Sequence, residues 1–130
     1  LAQQLAGMMN MARKAGQFIS GATKVDAAVR SGNTLAVFHA TDAAADGVRK
    51  INQARKAWTL GSGTETEIPS FHLFSEQEMD ELMGQNAFIH ACALAGQAGE
   101  GVVKRAKMLE RYRHGEKPQG EIDAARTERQ

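Results

Sequence analysis

The chain has 130 residues, of which 42% are hydrophobic and 24% charged, and its net charge is +1. This composition fits one globular domain with a proper core and excludes a disordered polymer. The lone cysteine, Cys92, excludes an internal disulfide, and no uncharged stretch is long and apolar enough to span a bilayer.

Leu1, Leu5, Met8, Ala12 and Ala15 recur at helical spacing, which predicts an amphipathic helix over residues 2–15. Gly16 ends it as a left-handed cap after Arg13 and Lys14. Residues 17–20 read as a short strand. Gly21 leads into a second helix with Val25, Ala28 and Val29 inside, stopped by Gly32. Residues 34–40 form a continuous apolar run rich in β-branched and aromatic side chains, the pattern of a buried central strand. Thr41 or Asp42 is the expected cap of the next helix. Its inner stripe is Val48, Ile51, Ala54 and Trp58, and its outer face carries Arg49, Lys50, Gln53, Arg55 and Lys56.

Residues 60–66, rich in Gly, Ser and Thr, read as a loop, and residues 68–74 as a third strand with Pro69 near its start. Ser75 and Glu78 have the spacing of a capping box, so a short acidic helix starts there and ends at Gly84. Residues 87–94 read as a fourth strand. A last helix runs from about residue 100 to 113, with Val102, Val103, Ala106, Leu109 and Tyr112 on its apolar side. From His114 onward the chain is polar and reads as a frayed tail. Alternating helices and strands imply an α/β fold: a three-layer α-β-α sandwich with a small mixed four-stranded sheet, spanning residues 1–113, with the tail over 114–130.

The charge is distributed unevenly. Residues 1–60 carry +5, residues 61–101 carry −7 with no basic residue, and residues 102–130 carry +3. Such a division fits one face for an anionic partner and another kept away from it, or two solvated faces of opposite sign. Residues 18–24 form the first candidate site. A strand that runs into a helix through Ser20-Gly21 leaves backbone N–H groups at a helix start, which suit a phosphate. Thr23 adds a hydroxyl. Lys24 opposes the helix dipole in the first turn, a conflict that a bound anion removes. Arg13, Lys14, Lys24 and Arg30 form a basic set that shares a face if the first two helices approach the same sheet edge. Aromatic residues are few and sit mostly in strands as core, which argues against stacking platforms and for recognition of structured RNA through its backbone.

His39, His72 and His90 lie in three different strands. A three-histidine zinc site is conceivable, but their spacing matches no local metal motif, and histidines near a sheet edge are the expected reading. Cys92 points to the same strand face as His90. Glu76, Glu78, Asp80 and Glu81 fit a solvated helix face better than an acid/base pair. No nucleophile elbow, dinucleotide fingerprint or metal motif occurs, so no catalysis, cofactor or metal is expected.

The run from Met9 to Gly21 (MNMARKAGQFISG), followed by Lys24-Val25 and by Arg30-Ser31-Gly32, resembles the opening of bacterial YlxQ-type proteins. These belong to the superfamily of ribosomal protein L-seven-Ae and its kink-turn-binding relatives. Residues 35–44, 68–74 and 83–91 resemble later segments of that family in the same order, so the similarity covers about residues 5–113. The likeness is strongest to a version in which this domain follows a YlxR-type domain, and a start at Leu1 fits a fragment of such a fusion. The resemblance implies a cytoplasmic, non-catalytic RNA-binding domain linked to the ribosome or to transcription termination. It places RNA contacts on Gly21, Ala22, Thr23, Lys24 and Ala27, and on Gly84, Gln85, Asn86 and Ala87. Thr23, Lys24 and Ala27 stand where kink-turn binders carry Asn-Glu and a downstream Lys. The implied binding is therefore electrostatic and steeply salt-dependent rather than kink-turn-specific. The expected contact set is Arg13, Lys14, Gly21, Thr23, Lys24, Arg30, Gln85 and Asn86. An alternative is a protein-interaction module of the translation or transcription machinery that uses the acidic helix around Glu76–Glu81.

Overall fold

A computed structural model describes residues 1–115. The helices are α1 (Ala2–Lys14), α2 (Ala22–Ser31), α3 (Ala45–Ser62), α4 (Glu76–Met83) and α5 (Gln97–Arg113). They alternate with strands β1 (Phe18–Ser20), β2 (Thr34–His39), β3 (Ser70–His72) and β4 (His90–Leu94). This is the order that the hydrophobic periodicity predicts. Of the polar tail, the part beyond residue 115 lies outside the described residues.

The strand order is β1-β4-β2-β3. β4 pairs antiparallel with both β1 and β2, and β2 pairs parallel with β3, so the sheet is mixed. Strand alternation sends successive side chains to opposite faces. Ala36 and Phe38 of β2, with Ala91 and Ala93 of β4, face a core shared with Leu5, Met9, Met79, Val102 and Leu109 from α1, α4 and α5. Val37 and Cys92 face the other way, onto Val25 and Val29 of α2 and Ile51 and Ala54 of α3. Helices thus cover both faces, and the fold is a three-layer α-β-α sandwich. All five phenylalanines are buried, and Phe38 stacks on Phe71 with ring centroids 5.3 Å apart.

Several boundaries depart from the sequence pattern. Ala44, not Thr41 or Asp42, precedes α3. Asp42 instead accepts the Glu76 amide at 3.0 Å, so its carboxylate serves the start of α4. There it joins the Ser75–Glu78 capping box, which forms as the spacing predicts. α3 continues to Ser62 through residues expected to be loop, and Gly63, with φ 73°, terminates it. β3 is only three residues long, and a 3-10 turn, Gly84–Asn86, shortens the fourth strand to His90–Leu94. Gly99 lets α5 sit directly on β4: a Cβ there would lie 1.8 Å from the Leu94 carbonyl oxygen.

Candidate functional site

β1 is an edge strand, and α1 and α2 flank it from opposite faces of the sheet. The four cations Arg13, Lys14, Lys24 and Arg30 therefore gather at the same sheet edge, on helices that reach it from opposite faces. Their sequence spacing contains no information about which side of the strand each helix takes.

Arg13 is half-buried and engaged inside the protein. Its guanidinium donates to Ser20 Oγ at 3.4 Å and to the Asn86 carbonyl at 3.2 Å, and it lies 5.7 Å from the centroid of the Phe18 ring. Asn86 donates through Nδ2 to Asn10 Oδ1 at 3.2 Å. Arg13, expected to meet phosphate, and Asn86, expected to meet sugar or base edges, thus act as a brace between α1, the end of β1 and the turn before β4. That brace ties the end of β1, just before Gly21, to the turn that holds Gln85 and Asn86. Arg30 pairs with Asp26 at 3.2 Å across one helical turn, both partners exposed. Lys14, Thr23, Lys24 and Gln85 are exposed, and neither lysine forms an ion pair among the described residues.

Gly21 adopts φ 109°, which favours glycine, and turns the chain sharply from β1 into α2. Its own N–H donates to the His90 carbonyl at 2.9 Å, so it is not the free phosphate donor expected of it. The first helical bond runs from the Val25 amide to the Gly21 carbonyl at 2.9 Å. The amides of Ala22, Thr23 and Lys24 therefore point out of the uncapped start of α2, which has no acid in its first turn. Beside this start lies a groove of about 530 Å³ lined by Ser20, Gly21, Ala22, Phe88, Ile89 and His90, with Glu76 and Asp80 of α4 on its far wall. The sequence pattern missed these two carboxylates as neighbours of Gly21, because they are distant along the chain.

The histidines converge at one end of the sheet, where β2 and β3 stop and β4 begins. His39 and His90 belong to the inner strands and are buried, rather than lying at a sheet edge, whereas His72 on β3 is exposed. His39 Nδ1 and His90 Nδ1 are 2.8 Å apart, and the His39 and His72 rings are 5.0 Å apart between centroids. Burial, with smaller contributions from His72, His90 and Arg55, lowers the His39 pKa to about 4. Burial also lowers that of His90 and pushes the Cys92 thiol up to about 11, which leaves a protonated, unreactive sulfur. Among the described residues no group of three His, Cys, Asp or Glu is arranged to hold a metal ion. None of their helices is long and apolar enough to cross a membrane.

No family model and no curated protein matches the chain. A solved structure described as a protein with unknown function from Bacillus halodurans C is similar, with a TM-score of 0.62 at 16% identity. The match covers 79% of this chain and 96% of that one, and it shows the shared fold alone.

Proposed function

We propose that this chain is a non-catalytic RNA-binding domain of the cytoplasm, serving the ribosome or the transcription machinery. Its RNA-facing corner is the start of α2 together with the turn before β4. One observation carries the reading. Two chain segments far apart in sequence, residues 20–22 and 87–90, line one groove and are joined by the Gly21-to-His90 hydrogen bond, while Arg13 ties Ser20 to Asn86 in the adjoining turn. On this reading, phosphate contacts fall to the outward amides of Ala22, Thr23 and Lys24, the exposed Thr23 hydroxyl and the Lys24 ammonium, which has no ion pair among the described residues, and a further contact to the exposed Gln85. Amides at a helix start and a first-turn lysine recognise phosphate oxygens, whereas Gln85 reaches sugar or base edges.

Glu76 and Asp80 set the limit of this corner. Carboxylates on the far wall of the groove repel a phosphate chain, so RNA passes on the α2 side and avoids α4. The same acids support a second reading, in which α4 docks a basic protein partner. Its four carboxylates, Glu76, Glu78, Asp80 and Glu81, are all exposed.

The test is an anisotropy titration of the full chain with a labelled RNA stem-loop at about 50 and about 200 mM salt. Wild type is expected to weaken steeply with salt, and Lys24→Glu to lose roughly tenfold in affinity at the lower salt with a shallower slope. Equal affinity for the variant and wild type removes Lys24 and the α2 start from the site. Retained RNA binding by Lys24→Glu, with a basic partner lost on neutralising the α4 acids, favours the second reading.

A further inference from the structure

We infer that the RNA path continues from the α2 corner across the outer face of α3 into a groove between α3 and the end of β3. This site rests on the RNA-binding reading and extends it to residues that the resemblance leaves without a role. A depression lined by Thr23, Asp26, Arg30, Lys50 and Gln53 joins the start of α2 to α3, with Asp26 already paired to Arg30. Gln53 also lines a larger groove of about 660 Å³, with Arg49, Asn52, Lys56 and His72 around it. The two depressions therefore meet at Gln53.

The sequence of α3 explains why that surface is cationic. Ile51 and Ala54 occupy the buried stripe, while Arg49, Gln53 and Lys56 recur at the i, i+4, i+7 spacing of an outward one. Arg49 and Lys56 stand about 10 Å apart along the helix axis at the usual rise per residue. Both are exposed, and Lys56 has no ion pair among the described residues. Arg49 and Lys50 share a single exposed carboxylate, Asp46, with the Lys50 contact at 3.9 Å. One acid cannot neutralise two cations, and exposed pairs of this kind contribute little, so both are available to phosphates.

Arg55 behaves differently. Its guanidinium donates to the Ile68 carbonyl at 2.8 Å and to Asn52 Oδ1 at 2.8 Å, which fixes the groove floor instead of reaching for a ligand. Glu67 is the acid on the groove rim and marks the end of the track. Phosphates leaving the α2 corner meet two carboxylates and no cation in the α4 direction, whereas in the α3 direction Asp26 and Asp46 are outnumbered by Arg30, Arg49, Lys50 and Lys56. Electrostatics therefore selects the α3 route.

The experiment compares full-length wild type, Lys24→Glu and the double variant Lys50→Gln/Lys56→Gln. Each is titrated with a labelled RNA stem-loop over a range of salt, and circular dichroism checks the fold. All three altered residues are exposed, so the fold is expected to hold. The inference predicts that the double variant binds roughly tenfold more weakly at low salt, with a salt slope reduced by about one per lysine removed. A double variant with wild-type affinity and slope overturns the α3 track, and weakening in Lys24→Glu alone then leaves the α2 site standing. If wild type itself binds the stem-loop no better than at high salt, both readings fall together.

Discussion

His39 and His90 meet Nδ1 to Nδ1 at 2.8 Å across the two inner strands of the sheet. One ring must donate and the other accept, so the contact exists only while at least one imidazole stays neutral. Among the described residues His39 Nε2 is buried with no partner, and His72 and Arg55 lie nearby, so burial and neighbouring charge both disfavour a positive charge there.

Acid should therefore weaken the fold before ordinary carboxylates titrate. The folded His39 pKa of about 4 lies below the ordinary histidine value of 6.5, so the unfolded chain binds the proton more tightly. This contribution to stability is complete above about pH 6.5 and is lost as pH falls toward 4, reaching about 3 kcal/mol. Urea unfolding at a series of pH values measures it, and His39→Phe should flatten the curve over that interval. An unchanged pH dependence in the variant would sink the assignment.

Gly99→Ala should be costly despite adding one methyl group. The new Cβ would meet the Leu94 carbonyl oxygen at 1.8 Å, and backbone at that position cannot rotate away. α5 would have to lift from β4 and would also strain the bond from the Gly99 amide to Gln17 Oε1, now 3.0 Å. A loss of about 3 kcal/mol in denaturant unfolding is expected.

Arg13→Met should remove about 2 kcal/mol, from the hydrogen bonds to Ser20 and Asn86 and the contact with Phe18. Lys14→Met, one residue away and exposed, should change stability by less than about 0.5 kcal/mol. Equal effects at the two positions would remove Arg13 from its role as the brace.

Neutralising the far wall of the groove with Glu76→Gln and Asp80→Asn should raise affinity for the RNA stem-loop by roughly threefold at low salt, because two screened repulsions disappear. The capping box is left intact, since it uses Ser75 and Glu78. A fall in RNA affinity would mean that the carboxylates are RNA contacts and not a boundary.

Local rules made much of this molecule legible from its residues. The 3.6-residue repeat of Leu5, Met9 and Ala12, the apolar run before His39 and the Ser75–Glu78 pair each act over a few neighbours. They predict the element order, the capping box and the aromatic core. The sandwich follows, because alternating helices and strands have few ways to bury their apolar faces.

The tertiary structure alone decided the rest. Whether α1 and α2 lie on one face of β1 or on both depends on which partners bury Leu5 and Val25, not on the spacing of Arg13 and Lys24. Asp42 caps α4 across more than thirty residues, Arg13 reaches Asn86, and Glu76 comes to stand opposite Gly21. These are encounters between segments remote along the chain, and no periodicity encodes them. The meeting of His39 with His90 has the same origin: pairing β4 antiparallel to β2 set the two rings against each other, and close packing then withheld the water that would have solvated them.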